Sequence, residues 1–81
     1  MDRSDQLTSD AATIAPRLTP GQRSTIAGLD RDFCILGCAE PTARRLAKAT
    51  PTRPALIVSR RGDEFQEFAL NDLGMAVKEL L

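Results

Sequence analysis

The sequence predicts one small α+β domain in which three helices lead into a two-stranded β-hairpin and a C-terminal helix. Three observations predict it. The chain has 81 residues, room for a single core that buries only about 60–65% of the unfolded surface. Helix start signals recur at Thr19-Pro20, Glu40-Pro41 and Asn71-Asp72, each followed by apolar residues three or four apart. Between 55 and 70 the pattern changes to two β-rich runs on either side of Gly62-Asp63, which reads as a hairpin.

Residues 1–17 are expected to form a flexible or partly helical N-terminal arm, and 18–81 the folded domain. The arm is rich in Ser, Thr and Asp, holds only Leu7 and Ile14 as larger aliphatics, and ends near Pro16. One helical turn around 10–14 is the most that stretch suggests. Thr19-Pro20-Gly21-Gln22 then fits a capping box, with Pro20 at the first helical position, so a helix is expected over 20–28. The run Phe33-Cys34-Ile35-Leu36 behind Asp30 predicts a short buried helix over 30–36, with Gly37 as its stop.

Glu40-Pro41 opens the next helix, over 41–49. At about 100° per residue, Ala39, Ala43, Leu46 and Ala47 share one arc, and Arg44, Arg45 and Lys48 lie together on the other side. Thr50-Pro51-Thr52-Arg53-Pro54 cannot continue a helix, because its prolines remove donors and push their predecessors toward extended geometry. Strands are expected over 55–59 and 64–70. Arg60 and Arg61 fall at the tip between them, with Gly62 supplying a positive φ. Asn71 caps the last helix and Asp72 complements its dipole. Leu73, Val77, Leu80 and Leu81 recur there at helical spacing. Part of that stripe docks on the domain's own core, and the remainder suits contact with a second copy.

Eleven basic and eleven acidic residues cancel to zero net charge, yet they are unevenly placed. From Pro41 to Gly62 there are six basic residues, Arg44, Arg45, Lys48, Arg53, Arg60 and Arg61, and no acid. A concentrated positive surface attracts polyanions even where distant acids cancel the total. Blander readings stand beside that one: the helix cations as a solvated face, and Arg60-Arg61 as charge that keeps an edge strand from aggregating.

The chemistry of catalysis is missing its groups. There is no His, Tyr or Trp, no Ser or Cys beside a plausible base, and no glycine-rich phosphate loop; no enzyme activity and no cofactor are expected. Asp63-Glu64 on a turn reads as surface charge. Cys34 and Cys38 are the only cysteines and read as small buried side chains, since a zinc site would need further ligands. The acidic, polar start and the lack of a long apolar run predict a soluble cytoplasmic protein with no membrane association.

The segment Leu56-Ile57-Val58-Ser59-Arg60-Arg61-Gly62-Asp63, leading to Phe68-Ala69-Leu70-Asn71-Asp72-Leu73-Gly74-Met75-Ala76, resembles the wing of bacterial or phage winged helix-turn-helix regulators. In that family a strand ends in a basic residue, a Gly- or Asp-containing tip follows, and the return strand leads into Leu-Thr-x-x-Gly; here the signature reads Leu70-Asn71-Asp72-Leu73-Gly74. Thr42-Ala43-Arg44-Arg45-Leu46-Ala47 is similar to the helix with which such domains read DNA. The resemblance covers 18–81 and implies a winged helix domain that binds double-stranded DNA as a homodimeric transcriptional regulator. Thr42, Arg44, Arg45 and Lys48 would then enter the major groove. Arg60 and Arg61 would reach the flanking backbone or minor groove, and Arg53 would clamp a phosphate. Leu73, Val77, Leu80 and Leu81 would serve the dimer. The rival expectation is a winged-helix module that binds a protein partner and no nucleic acid, because fold alone does not settle function.

Overall fold

The computed structural model of the protein describes residues 3–81. It is an α+β arrangement whose elements run, in chain order, α1 (Arg3–Ile14), a 3₁₀ turn (Ala15–Arg17), α2 (Pro20–Ala27), β1 (Cys34–Ile35), α3 (Glu40–Leu46), β2 (Ile57–Arg61), β3 (Gln66–Leu70) and α4 (Asp72–Glu79). The strands form one antiparallel sheet in the order β1-β3-β2.

The stretch expected to be an arm is helical from Arg3 to Ile14; residues 1 and 2 lie outside the described residues. Leu7, Ala11, Ile14, Ala15 and Leu18 recur at helical spacing and turn inward, with Ala11 fully buried. Alanine on this face lets α1 lie close against α4. The α2 capping box forms as its sequence predicts. The Gln22 amide donates to Thr19 Oγ1 at 3.2 Å, and the Thr19 amide donates to Gln22 Oε1 at 2.9 Å.

The helix expected over 30–36 is replaced by β1. Its run of apolar residues is too short for periodicity to separate helix from strand, and pairing decides: Cys34 faces Phe68 and Ile35 faces Glu67 across β3. Cys34 is half-buried against the core, whereas Cys38 is exposed, contrary to the expectation that both are buried. Gly37 lies in the loop, where its carbonyl accepts the Glu40 amide at 3.1 Å.

α3 also ends sooner than expected, at Leu46 with Ala47 as its cap. Beyond it the chain closes a tight turn: the Thr50 amide donates to the Arg53 carbonyl at 2.7 Å, and the Arg53 amide returns to the Thr50 carbonyl at 3.2 Å. Between β1 and β2 α3 is therefore the one helix among the described residues, so the two successive helices of a helix-turn-helix unit are not both present there. The hairpin also differs in register from expectation. Arg60 and Arg61 belong to β2, the turn is made by Gly62, Asp63, Glu64 and Phe65, and the tip is consequently acidic. Gly62 does not have positive φ. Its need is close approach, since a Cβ there would stand 2.7 Å from the Phe65 carbonyl oxygen.

The core lies between the sheet and the helices. Ile26, Leu29, Leu46, Leu56, Ile57, Phe68 and Val77 are its largest fully buried side chains. Asn71 joins two parts of it: its side-chain oxygen accepts the Gly74 amide at 2.8 Å, capping α4, and its side-chain nitrogen donates to the Ala55 carbonyl at 2.7 Å. No helix among the described residues is long and apolar enough to cross a membrane.

Candidate nucleic-acid interface

Two periodicities distribute the six cations. In α3, Ala43 and Leu46 are fully buried and anchor the helix, so residues on the opposite arc face out: Arg44, Arg45 and, just past the helix, Lys48 are exposed. Thr42 is half-buried in the first turn. In β2 the side chains alternate. Ile57, Ser59 and Arg61 share one face, paired across the ladder with Leu70, Phe68 and Gln66; Val58 and Arg60 take the other.

The first of those faces meets α3. A cleft of about 390 Å³ is lined by Arg44 and Arg61 together with the acidic turn residues and Gln66. A second, of about 210 Å³, is lined by Arg44, Ala47, Lys48, Ser59 and Gln66. Arg44 and Gln66 border both, so two adjoining clefts lie between α3 and the hairpin, with Arg61 on one and Lys48 on the other. Ser59 and Gln66 were not among the expected site residues. Strand alternation counted from Arg61 places Ser59 on this face, and that was the signal for it; Gln66 is brought there by its pairing with Arg61 across the ladder.

Arg60 goes elsewhere. Its Nε donates to Glu67 Oε1 at 2.7 Å, and its guanidinium carbon lies 4.1 Å from the centroid of the Phe33 ring. An ion pair and a cation–π contact thus hold it on the outer face of the sheet. The two arginines do not form a basic tip. Arg53 is also away from the groove, in a cleft with Arg17 and residues near the 3₁₀ turn.

The acids that flank the cationic stretch in sequence stand beside it in the fold. Glu40 pairs with Arg44 at 3.0 Å, one helical turn apart, and Asp63 and Glu64 border the groove beside Arg61. Exposed pairs of this kind contribute only about 0.3–0.5 kcal/mol, so Arg44 is readily released to a stronger anion. Arg45, Lys48 and Arg61 have no ion pair with another described residue.

Of the apolar stripe on α4, Leu73 and Val77 are buried in the chain's own core, so they offer no surface to a second copy. Leu80 and Leu81 remain 50% and 46% exposed. They border an apolar groove of about 650 Å³ with Ala12, Ala15, Pro16 and Ala27. Among the described residues there is no cluster of three or more His, Cys, Asp or Glu side chains placed to hold a metal ion. No family model, no curated protein and no solved structure matches this chain.

Proposed function

We propose that this is a small DNA-binding protein, a transcriptional regulator, that meets the duplex with the outer face of α3 and the end of β2 in a reduced winged-helix arrangement. One observation carries the reading: Arg44 in α3 borders two adjoining clefts, one completed by Arg61 of β2 and the other by Lys48 just past α3. Arg45 extends that surface along α3. With seven residues, α3 is about 10 Å long, which suits shallow insertion of its exposed face into a major groove about 12 Å wide. Contacts from Lys48 and Arg61 to phosphates set affinity and register, while Arg44 and Arg45 have the fork geometry that pairs with guanine.

If about four phosphates are neutralised per protomer, log K falls against log salt with a slope of roughly −3 to −4. The test is titration of a mixed-sequence duplex at low and moderate salt with single alanine variants. Lys48→Ala and Arg61→Ala are expected to weaken binding to all duplexes and each to flatten the slope by about one. Arg60→Ala, on the other face of the hairpin, is expected to leave binding unchanged. Equal losses from Arg60→Ala and Arg61→Ala, or no binding at low salt, overturn the proposal.

The groove at Leu80 and Leu81 favours a second role, contact with protein. In the DNA-binding reading its occupant is a second copy, which makes the regulator a homodimer on a two-fold site. Failure of every duplex to bind at low salt would favour the alternative, a protein-interaction module that uses this groove alone.

A further inference from the structure

A second cationic cleft lies apart from the α3 groove and shares no lining residue with it. Its volume is about 170 Å³, equal to the liquid volume of roughly five or six waters. Arg17, from the 3₁₀ turn, and Arg53, from the tight turn after α3, border it with Thr13 and Thr52; Ile14 and Leu18 complete the lining and are themselves buried. No acid lines it, and neither arginine has an ion pair with another described residue.

Arg53 is held there by its backbone. Reciprocal amide–carbonyl bonds with Thr50 fix the turn, and the Thr52 amide donates to Thr50 Oγ1 at 3.3 Å. Within this fixed frame Arg53 Nε is buried and has no hydrogen-bond partner among the described residues. A buried N–H without an acceptor is costly, the more so where it carries charge. Two guanidiniums facing one cleft add mutual repulsion, and the apolar Ile14 and Leu18 walls lower the local dielectric that would screen it. That repulsion turns to attraction if the cleft holds a compact anion with several acceptor oxygens. The Thr13 hydroxyl is already committed to the Ser9 carbonyl at 3.2 Å, and the Thr52 hydroxyl is paired with the Thr50 hydroxyl at 3.3 Å, so the arginines carry the recognition.

We propose that the Arg17–Arg53 cleft is a binding site for a phosphate group, which accepts from the guanidinium groups of Arg53 and Arg17 and so fastens the end of α1 to the turn that follows α3. The phosphate comes either from a free phosphate or phosphomonoester or from the backbone of a nucleic acid. The inference does not depend on the α3 groove binding DNA.

The test follows the arginine Nε–H resonances of the full ¹⁵N-labelled chain by NMR while inorganic phosphate replaces chloride at constant ionic strength. Saturable shifts confined to Arg17 and Arg53 are expected. Arg17→Gln, at an exposed position that leaves the core untouched, is expected to weaken binding about tenfold or more, the loss of a charge-assisted hydrogen bond. Arg53→Lys keeps the charge but loses Nε and the planar fork, and is expected to weaken it comparably. Non-saturating shifts, equal shifts at all arginines, or full affinity in Arg17→Gln would each overturn the proposal. Adding a duplex then identifies the source: competition between duplex and phosphate for the Arg53 signal assigns the site to a backbone phosphate, and unchanged phosphate affinity assigns it to a free anion.

Discussion

Replacing Gly74 by Ala tests the join between α4 and the strand that presents Arg61. A Cβ at position 74 would fall on the Leu56 carbonyl oxygen, inside contact distance, and 3.2 Å from Leu70 Cβ. The obstacle is backbone, and it is pinned on both sides. The Leu56 carbonyl accepts the Asn71 amide at 3.2 Å, and the Leu56 amide donates to the Leu46 carbonyl at 2.9 Å. Alanine gains about 1 kcal/mol in helix propensity over glycine. Against this stand about 1–3 kcal/mol for overpacking and about 0.5–1.5 kcal/mol for the Asn71–Leu56 bond if α4 swings away. The net expectation is a loss of about 1–3 kcal/mol from a total on the order of 5 kcal/mol. Because 1 kcal/mol moves the midpoint of a domain this size by about 4–8 °C, thermal unfolding followed by far-UV circular dichroism should show Tm lowered by about 5–20 °C. Gly21→Ala is the control. It sits in α2 with no neighbour within 4 Å of the added methyl, so Tm should hold or rise. A Gly74→Ala protein as stable as its parent would refute the close approach of α4 to Leu56.

Asn71→Asp keeps the acceptor that caps α4 but loses the donor to the Ala55 carbonyl, whereas Asn71→Ala loses both. Urea unfolding should therefore rank stability as parent, then Asp, then Ala, with Ala lower than the parent by about 1.5–3 kcal/mol. Leu80→Ser should leave monomer stability within about 0.5 kcal/mol, because the side chain is half exposed. The same variant should shift the protein toward monomer in sedimentation equilibrium if the groove joins two copies.

Local chemistry was legible wherever one residue type answers one backbone demand. Thr19, Pro20 and Gln22 specify the start of α2, and Asn71 specifies that of α4, because orphan amides there need an acceptor whatever the rest of the chain does. The burial of Ala43 and Leu46 under an exposed Arg44 and Arg45 followed from helical spacing in the same way. β1 was not legible, because two residues become a strand only when β3 supplies the partner. Nor was α1 read beyond one turn. Its inward face includes Ala11 and continues into Ala15 of the 3₁₀ turn, small side chains suited to the close α1–α4 approach, a tertiary property that counting large aliphatics overlooks. The site was half legible: six cations in 22 residues pointed to a charged surface, but the hairpin register decided which of them belong to it.

That register bears directly on how selective the proposed interface can be. Had Arg60 and Arg61 both occupied a turn, flexible backbone would have let either follow a passing phosphate. In a strand they are separated by the pleat: Arg61 faces α3, while Arg60 is held by Glu67 and Phe33 on the far side. The acids Asp63 and Glu64 then occupy the tip beyond Arg61, where they would repel a backbone approaching from the end of the hairpin. On the proposed function a duplex would be admitted from the α3 side, over Arg44 and Lys48, where the exposed Glu40–Arg44 pair would have to open for it. An approach restricted in this way would fix orientation before any base is read, which is the condition under which so short a helix could contribute to sequence preference.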